Sequence, residues 1–435
     1  MTGPRTEELV EPWRGLARPL PEWFARAKLG VFVHWGAYSV PAWAESVVMN
    51  GAASDDEYLP HNPYAEWYWN TIAIEGSPAA VHHRDVHGGA PYDDFLDHWT
   101  ADEFDPADWA ALFARAGADY VIPTTKHHDG IALWEAPGTD DRNTVARGPR
   151  RDLVGELATA ARREGLRFGV YYSGGLDWHV FAPRPHLADA DLHELRPVDA
   201  AYNRYAGEHV RDLVRRFRPD ILWNDIDWPD AGKRDGPDGL AELFRSYYAA
   251  VPDGVVNDRW GVPHADFLTS EYESLRDRET AGRPWEYTRG LGLSFGYNRT
   301  EDESGTLSAA ELARLWVDVV ARGGRLLINV GPTASGRIPA LQRATLEGFG
   351  RWREAIGGAA ADVIAWPDPS SGVGPAEGPW LRFWNTPDAV LVFVGDAGAH
   401  DIRLPTGQVL SVVVDSVEEG PMVFSVPTGV RGATS

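Results

Sequence analysis

No cysteine occurs among the 435 residues, which removes disulfides, thiolate nucleophiles, cysteine-built zinc fingers and iron–sulfur sites together. Positive charge is short as well: 41 basic residues stand against 64 acidic ones, a formal net charge of −23. A field of that sign repels phosphate backbones and anionic bilayers, so nucleic acid and acidic lipid are set aside as partners and a neutral or cationic ligand is favoured. Lysine is found only at Lys28, Lys126 and Lys233, a scarcity that carries no functional reading. No uncharged apolar run approaches the roughly 20 residues that cross a bilayer. The opening MTGPRTEELVEPWRGLARP alternates charge and proline without the apolar centre of a signal peptide. The expectation is a soluble, cytoplasmic protein without a membrane partner, compatible with a homo-oligomer that the sequence does not specify.

What is present is ordinary globular material, 43% hydrophobic and 24% charged, long enough for one large α/β barrel with an appendage. The 19 tryptophans stand out, because a flat ring with one N–H stacks on the C–H face of a sugar as readily as it fills a core. For any single tryptophan, core packing is the default.

From Lys28 to about Val330, short apolar runs alternate with amphipathic helical stretches, the pattern of βα units around a parallel sheet. The strands are expected at Leu29 to His34, Tyr120 to Thr125, Arg167 to Tyr172, Ile221 to Asp225, Val255 to Asp258, Phe267 to Glu271, Leu293 to Tyr297 and Leu326 to Val330, and eight strands fit a closed barrel. Asp105 followed by Pro106 signals a helix start that Gly117 ends, and Leu153 to Arg163 and Tyr205 to Phe217 show helical spacing. The stretch 46–98, rich in Trp, Tyr, Pro and His, is too long for a plain connection and has the length of a functional insertion. Beyond a helix around Leu341 to Arg353, short strands at Trp380 to Trp384, Ala389 to Val394 and Val409 to Val414 predict a small antiparallel β-domain. The expected organisation is an extension over residues 1–20, an α/β (β/α)8 TIM-like barrel over 21–355, and a C-terminal antiparallel β-sandwich over 360–435.

In such a barrel the active site lies at the C-terminal ends of the strands. There the sequence places His34, then His127 and His128, then Tyr171, Trp223 with Asp225, Arg259, and Glu271. Each alone reads as a structural hydrogen-bonder; six strands converging imidazoles, aromatics and two carboxylates on one rim read as chemistry. Trp223 and Asp225 are two apart on one strand and share a face, as Thr269 and Glu271 do. Asp227 lies past its strand's end and reads as a loop cap, and Glu273 as solvent-facing. Two carboxylates from different strands ringed by aromatics suit glycoside hydrolysis, one attacking or activating water and the other protonating the leaving oxygen, roughly 5 to 5.5 Å apart if the enzyme retains configuration and about 9 Å if it inverts.

A metal-dependent barrel hydrolase is the rival, using His34, His127, His128 and Asp225. Adjacent strand residues face opposite ways, so His127 and His128 cannot share an ion unless the strand has already turned. A catalytically silent sugar-binding barrel would keep the aromatics and lose a carboxylate, and both carboxylates are here.

AKLGVFVHWGAYSVPAW, NPYAEWYWN, AGADYVIPTTKHHDGIALW, PDILWNDIDWP, VVNDRWGVPHADFLTSEYE, WEYTRGLGLSFGYNR and GGRLLINVGPTASG follow one another between Ala27 and Gly336. In these the chain resembles the α-L-fucosidases of glycoside hydrolase family 29, retaining enzymes with a (β/α)8 barrel and a C-terminal β-sandwich. The resemblance implies a fucosylated glycoside or oligosaccharide as substrate, with Asp225 as nucleophile and Glu271 as acid/base. It also implies fucose contacts by His34, Glu66, Trp67, His127, His128, Tyr171, Trp223 and Arg259, and no metal, nucleotide or redox cofactor. Asn224 and Ile226 depart from the F-D-G that many members carry around the nucleophile, which implies altered packing beside an intact carboxylate.

Overall fold

The computed structural model describes residues 11–45, 58–181, 185–273, 275, 282–357, 363–364, 366 and 368–428. The first ten residues of the expected extension, residues 46–57 of the expected insertion and residues 358–362 and 429–435 around and within the expected β-domain lie outside it.

The βα alternation closes into eight parallel strands: β1 (Leu29–Val33), β2 (Tyr120–Lys126), β3 (Arg167–Ser173), β4 (Ile221–Asp225), β5 (Val255–Val256), β6 (Leu268–Glu271), β7 (Trp285–Gly290) and β8 (Arg325–Val330). They run in the order β5-β4-β3-β2-β1-β8-β7-β6. LGVFV, ILWND and RLLINV are buried along their whole length, as strands covered on both faces must be. The two ends of the order meet through aspartates rather than a ladder. Asp266 donates its N–H to the Val256 carbonyl (2.9 Å) and accepts the Val256 N–H on its carboxylate (2.8 Å). Asp258 accepts the Thr269 N–H at 3.0 Å.

Side chains fill the barrel. Phe32, Ile122, Tyr171, Ile221, Trp223, Phe267 and Leu327 pack inside, and Phe24, from the short helix Glu22–Arg26, joins them. Outside, amphipathic helices cover the strands. Pro106–Arg115 starts where Asp105 accepts the N–H groups of Ala107 and Asp108, and Leu153–Arg163 starts at an Asp152 cap.

The expected seventh strand, Leu293 to Tyr297, is a loop, and Trp285–Gly290 takes its place. Glu286 disguises that strand. Its carboxyl group lies wholly inside the barrel, satisfied by the Tyr120 hydroxyl and by Trp223 Nε1 at 2.9 Å, so the apolar pattern of an interior strand is broken by a hydrogen-bonded polar group.

After the helix Ala340–Ala355, β9 (Leu381–Asn385), β10 (Ala389–Val394) and β13 (Met422–Pro427) form one antiparallel sheet, and β11 (Gly398–Arg403) pairs with β12 (Val409–Val414). β11 and β13 add to the three strands expected there. Trp384 anchors the sheet to the barrel, its Nε1 donating to the Val317 carbonyl (3.1 Å) and its ring edge-on to Trp316 (5.0 Å). No helix among the described residues is long and apolar enough to cross a membrane.

Candidate active site

All ten residues singled out in the sequence line one cavity of about 160 Å³ at the C-terminal end of the barrel. β4 brings Trp223 and Asp225, β6 ends on Glu271, and β3 contributes Tyr171. His34, Arg259 and the two consecutive histidines come from just beyond β1, β5 and β2. Glu66 and Trp67 come from a 3-10 turn, Ala65–Trp67, inside the insertion, whose Tyr58, Asn62 and Tyr64 also reach the cavity.

Arg259 is the centre of the geometry. One terminal nitrogen donates to Asp225 Oδ1 (2.9 Å), the other to Glu271 Oε2 (2.9 Å), and Nε donates to Thr269 Oγ1 (3.0 Å). The planar fork thus makes neighbours of two carboxylates from different strands. Its underside rests on the Trp223 ring, 4.7 Å from the centroid. Asp225 Oδ2 accepts the Tyr171 hydroxyl at 2.8 Å, so donors from two strands fix the carboxylate's plane.

Burial pushes the Glu271 carboxyl above its usual range; Arg259 pulls it back and the Asp225 charge pushes it further up. Glu66 is pushed up to about 7 by burial, although the Gly296 N–H (2.7 Å) and the Ser294 hydroxyl (3.2 Å) stabilise its charged form. Burial holds the His34 imidazole down at about 4, and His127 and His128 well below their usual value. The cavity therefore offers neutral imidazoles near neutral pH.

The rings of His127 and His128 lie 4.0 Å apart and both reach the cavity, because the chain leaves β2 at Lys126. The alternation that separates neighbours on a strand has ended there, so it does not weigh against a shared ligand. Among the described residues, no three His, Asp or Glu side chains converge as a metal-binding group.

Beyond Asp225 the chain turns through two left-handed residues, Ile226 (φ +53°) and Asp227 (φ +77°). A β-branched residue is strained there. Asn224 Nδ2 holds the Asp227 carbonyl (2.7 Å), and the Asp227 carboxylate accepts the Trp228 N–H (2.7 Å), Lys233 (2.7 Å) and Arg196 (3.3 Å). A Cβ at Gly175 would collide with the Ile226 carbonyl, so the turn is clamped from β3's side too. Asp227 caps the loop and does not line the cavity. Asp227→Ala should lower stability by about 1–3 kcal/mol through the stranded cations while leaving the pH dependence of turnover in place. A collapse of kcat as deep as that of an Asp225 variant would instead make Asp227 chemical.

Truncating the imidazoles tests the ring of contacts. His34→Ala or His128→Ala should fold and lose roughly 10- to 1000-fold in kcat/KM, from hydrogen bonds that strengthen as charge develops and from lost orientation. Full activity in both would remove them from the site. Trp67→Ala should act mainly on KM, because the ring offers a stacking face.

Sequence reading missed Asn329, Ser173, Thr288, Phe295 and Glu286. Asn329 and Glu286 had a signal, a polar group within a barrel strand, RLLINV and WEYTRG. Phe295 sits in the segment mistaken for a strand.

Comparison with known proteins bears on the same residues. The family model Alpha-L-fucosidase matches residues 4–358. The chain is 35% identical over 351 residues to the tissue alpha-L-fucosidase of Macaca fascicularis, covering 78% of this chain and 69% of that protein. It is similar to the crystal structure of Thermotoga maritima alpha-fucosidase, with 42% identity, a TM-score of 0.82, and 94% and 97% of the two chains covered. The same Thermotoga enzyme in complex with fucose matches at 42% identity and a TM-score of 0.80, over 96% of this chain and 95% of that one.

Proposed function

The chain belongs to the α-L-fucosidase family of glycoside hydrolases, and from that premise we propose a retaining, two-step hydrolysis of terminal α-L-fucosyl residues with Asp225 as nucleophile and Glu271 as acid/base. The observation that carries the proposal is the pair of carboxylates on one Arg259 guanidinium. In the first step Glu271, whose proton affinity burial has raised, gives its proton to the leaving oxygen as Asp225 attacks the anomeric carbon. In the second, ionised Glu271 takes a proton from the water that attacks the same carbon and releases Asp225. Tyr171 and Arg259 hold Asp225 from two sides, so orientation is set before the substrate arrives.

Fucose is neutral, so the acidic chain poses no charge conflict. Its hydroxyls meet His34, His127, His128 and Glu66, and its ring face and methyl group meet Phe32, Trp67, Trp223 and Phe295. We assign residues 21–355 to the catalytic barrel, with 46–98 as its insertion, from which Tyr58, Asn62, Tyr64, Glu66 and Trp67 wall the fucose subsite, and 360–435 to the β-domain.

A panel of α-L-fucosides, from an activated aryl glycoside to fucosylated oligosaccharides, assayed with EDTA present, tests the reading. Hydrolysis indifferent to the chelator is expected. Loss on chelation, restored by zinc, would contradict the two-carboxylate mechanism, and no hydrolysis of any fucoside would contradict the activity.

A further inference from the structure

An imidazole offers a sugar hydroxyl either a donor or an acceptor, and its other nitrogen decides which. Two imidazoles of the cavity have that other nitrogen committed. His34 Nδ1 lies 2.7 Å from Asn329 Oδ1. The amide cannot be turned round, because its nitrogen donates to the Phe295 carbonyl at 2.7 Å and a flip would set two oxygens against each other. Oδ1 has no proton to give, so Nδ1 of His34 carries the hydrogen.

His128 Nδ1 lies 2.7 Å from Ser173 Oγ. That hydroxyl has one proton, and it goes to the Leu176 carbonyl at 2.8 Å. Oγ can then only accept, so Nδ1 of His128 carries the hydrogen as well. A neutral ring has a single N–H. Burial keeps both rings neutral, and their Nε2 atoms are therefore bare.

We infer that Asn329 and Ser173 are positioning residues that set histidine tautomers, holding His34 and His128 as Nδ1–H imidazoles that present two unprotonated Nε2 acceptors to the cavity. Resting on the fucosidase reading for the identity of the ligand, the inference adds what the subsite demands of it. The sugar must donate hydrogen bonds from two hydroxyls at these positions. A substituent that cannot donate, such as fluorine or a methyl ether, is rejected there even where it fits, because a buried acceptor is left without its partner.

Neither Asn329 nor Ser173 lines the cavity, so their action runs through the rings. Each chain ends on a backbone carbonyl, of Phe295 and of Leu176, which makes the tautomers a property of the fold and independent of substrate.

The deciding measurement is a long-range ¹H–¹⁵N correlation spectrum of the histidine side chains in the unliganded protein near neutral pH, with His34→Gln and His128→Gln identifying the two resonance sets. Nδ1–H patterns for both are expected, and an Nε2–H pattern for either would overturn the inference. This readout does not depend on turnover, so it can fail while the fucosidase reading stands, and the reverse. Kinetics give the second arm. Free fucoses with one hydroxyl at a time replaced by fluorine, tested as competitive inhibitors so that fluorine's own effect on bond cleavage does not enter, should show a Ki raised by roughly 10- to 100-fold at two positions. In Asn329→Ala or Ser173→Ala, one of those two penalties should shrink, because the released ring can turn a donor toward fluorine. Penalties that stay unchanged in both variants would show that these residues only support the fold.

Discussion

Asp225→Gly should fold, still bind fucose, and lose turnover of natural fucosides by more than about 10⁴-fold, the scale on which removal of a covalent nucleophile acts. The variant leaves Arg259 its contacts to Glu271 and Thr269, so the cavity is not dismantled. It opens a space on the face of the sugar opposite the leaving group. Azide entering that space should attack an activated aryl fucoside directly and give the β-fucosyl azide, of inverted configuration. Loss of the Asp225 charge also removes one of the influences that raise the Glu271 carboxyl, so that carboxyl should give up its proton at a lower pH in the variant than in the native protein. Recovery of product with retained configuration would contradict the assignment.

Glu271→Gln keeps an oxygen for Arg259 and removes the proton. Hydrolysis of fucosides with poor leaving groups should fall by roughly 10²- to 10⁴-fold, and the first step for an activated aryl fucoside, which needs no proton, should fall far less. With no base for water, the covalent intermediate should accumulate, and azide should now restore turnover with retained configuration. The pH profile gives the sign. Glu271 must be protonated to act as acid, so native activity on poor leaving groups declines as pH rises through its raised value, and that alkaline limb should vanish in the variant while the acid limb survives. Equal losses on good and poor leaving groups with both limbs intact would leave Glu271 only a positioning role, and Glu66, pushed up to about 7 by burial, would be the next group to test as the acid.

The rim was legible in the sequence because polar residues at the ends of apolar strands have no structural reason to gather, and strand ends can be read from β-branched runs. Asp225 and Trp223 followed from two-residue spacing on a strand that is buried along its length. Periodicity failed where a buried carboxyl is hydrogen-bonded, as at Glu286 on β7, and where the chain has already left its strand, as beyond Lys126 at the paired histidines. The contacts that join the insertion to the barrel were invisible for a different reason. The Gly296 N–H on Glu66 links residues 230 positions apart, and no local pattern reports such a pairing. The roles of Asn329 and Ser173 belong to the same class, since they depend on which way a proton points, even though Asn329 was visible as a polar group within a barrel strand.

Trapping the covalent intermediate tests the central claim most directly. A fucosyl donor with fluorine at C2 and a good leaving group slows both steps, the second most, because fluorine disfavours the oxocarbenium-like transition state while the leaving group still departs. Intact mass and peptide mapping of the inactivated protein should place one fucosyl adduct on the peptide that contains Asp225. An adduct on another carboxylate, or none together with a first-formed product of inverted configuration, would contradict a retaining mechanism through Asp225.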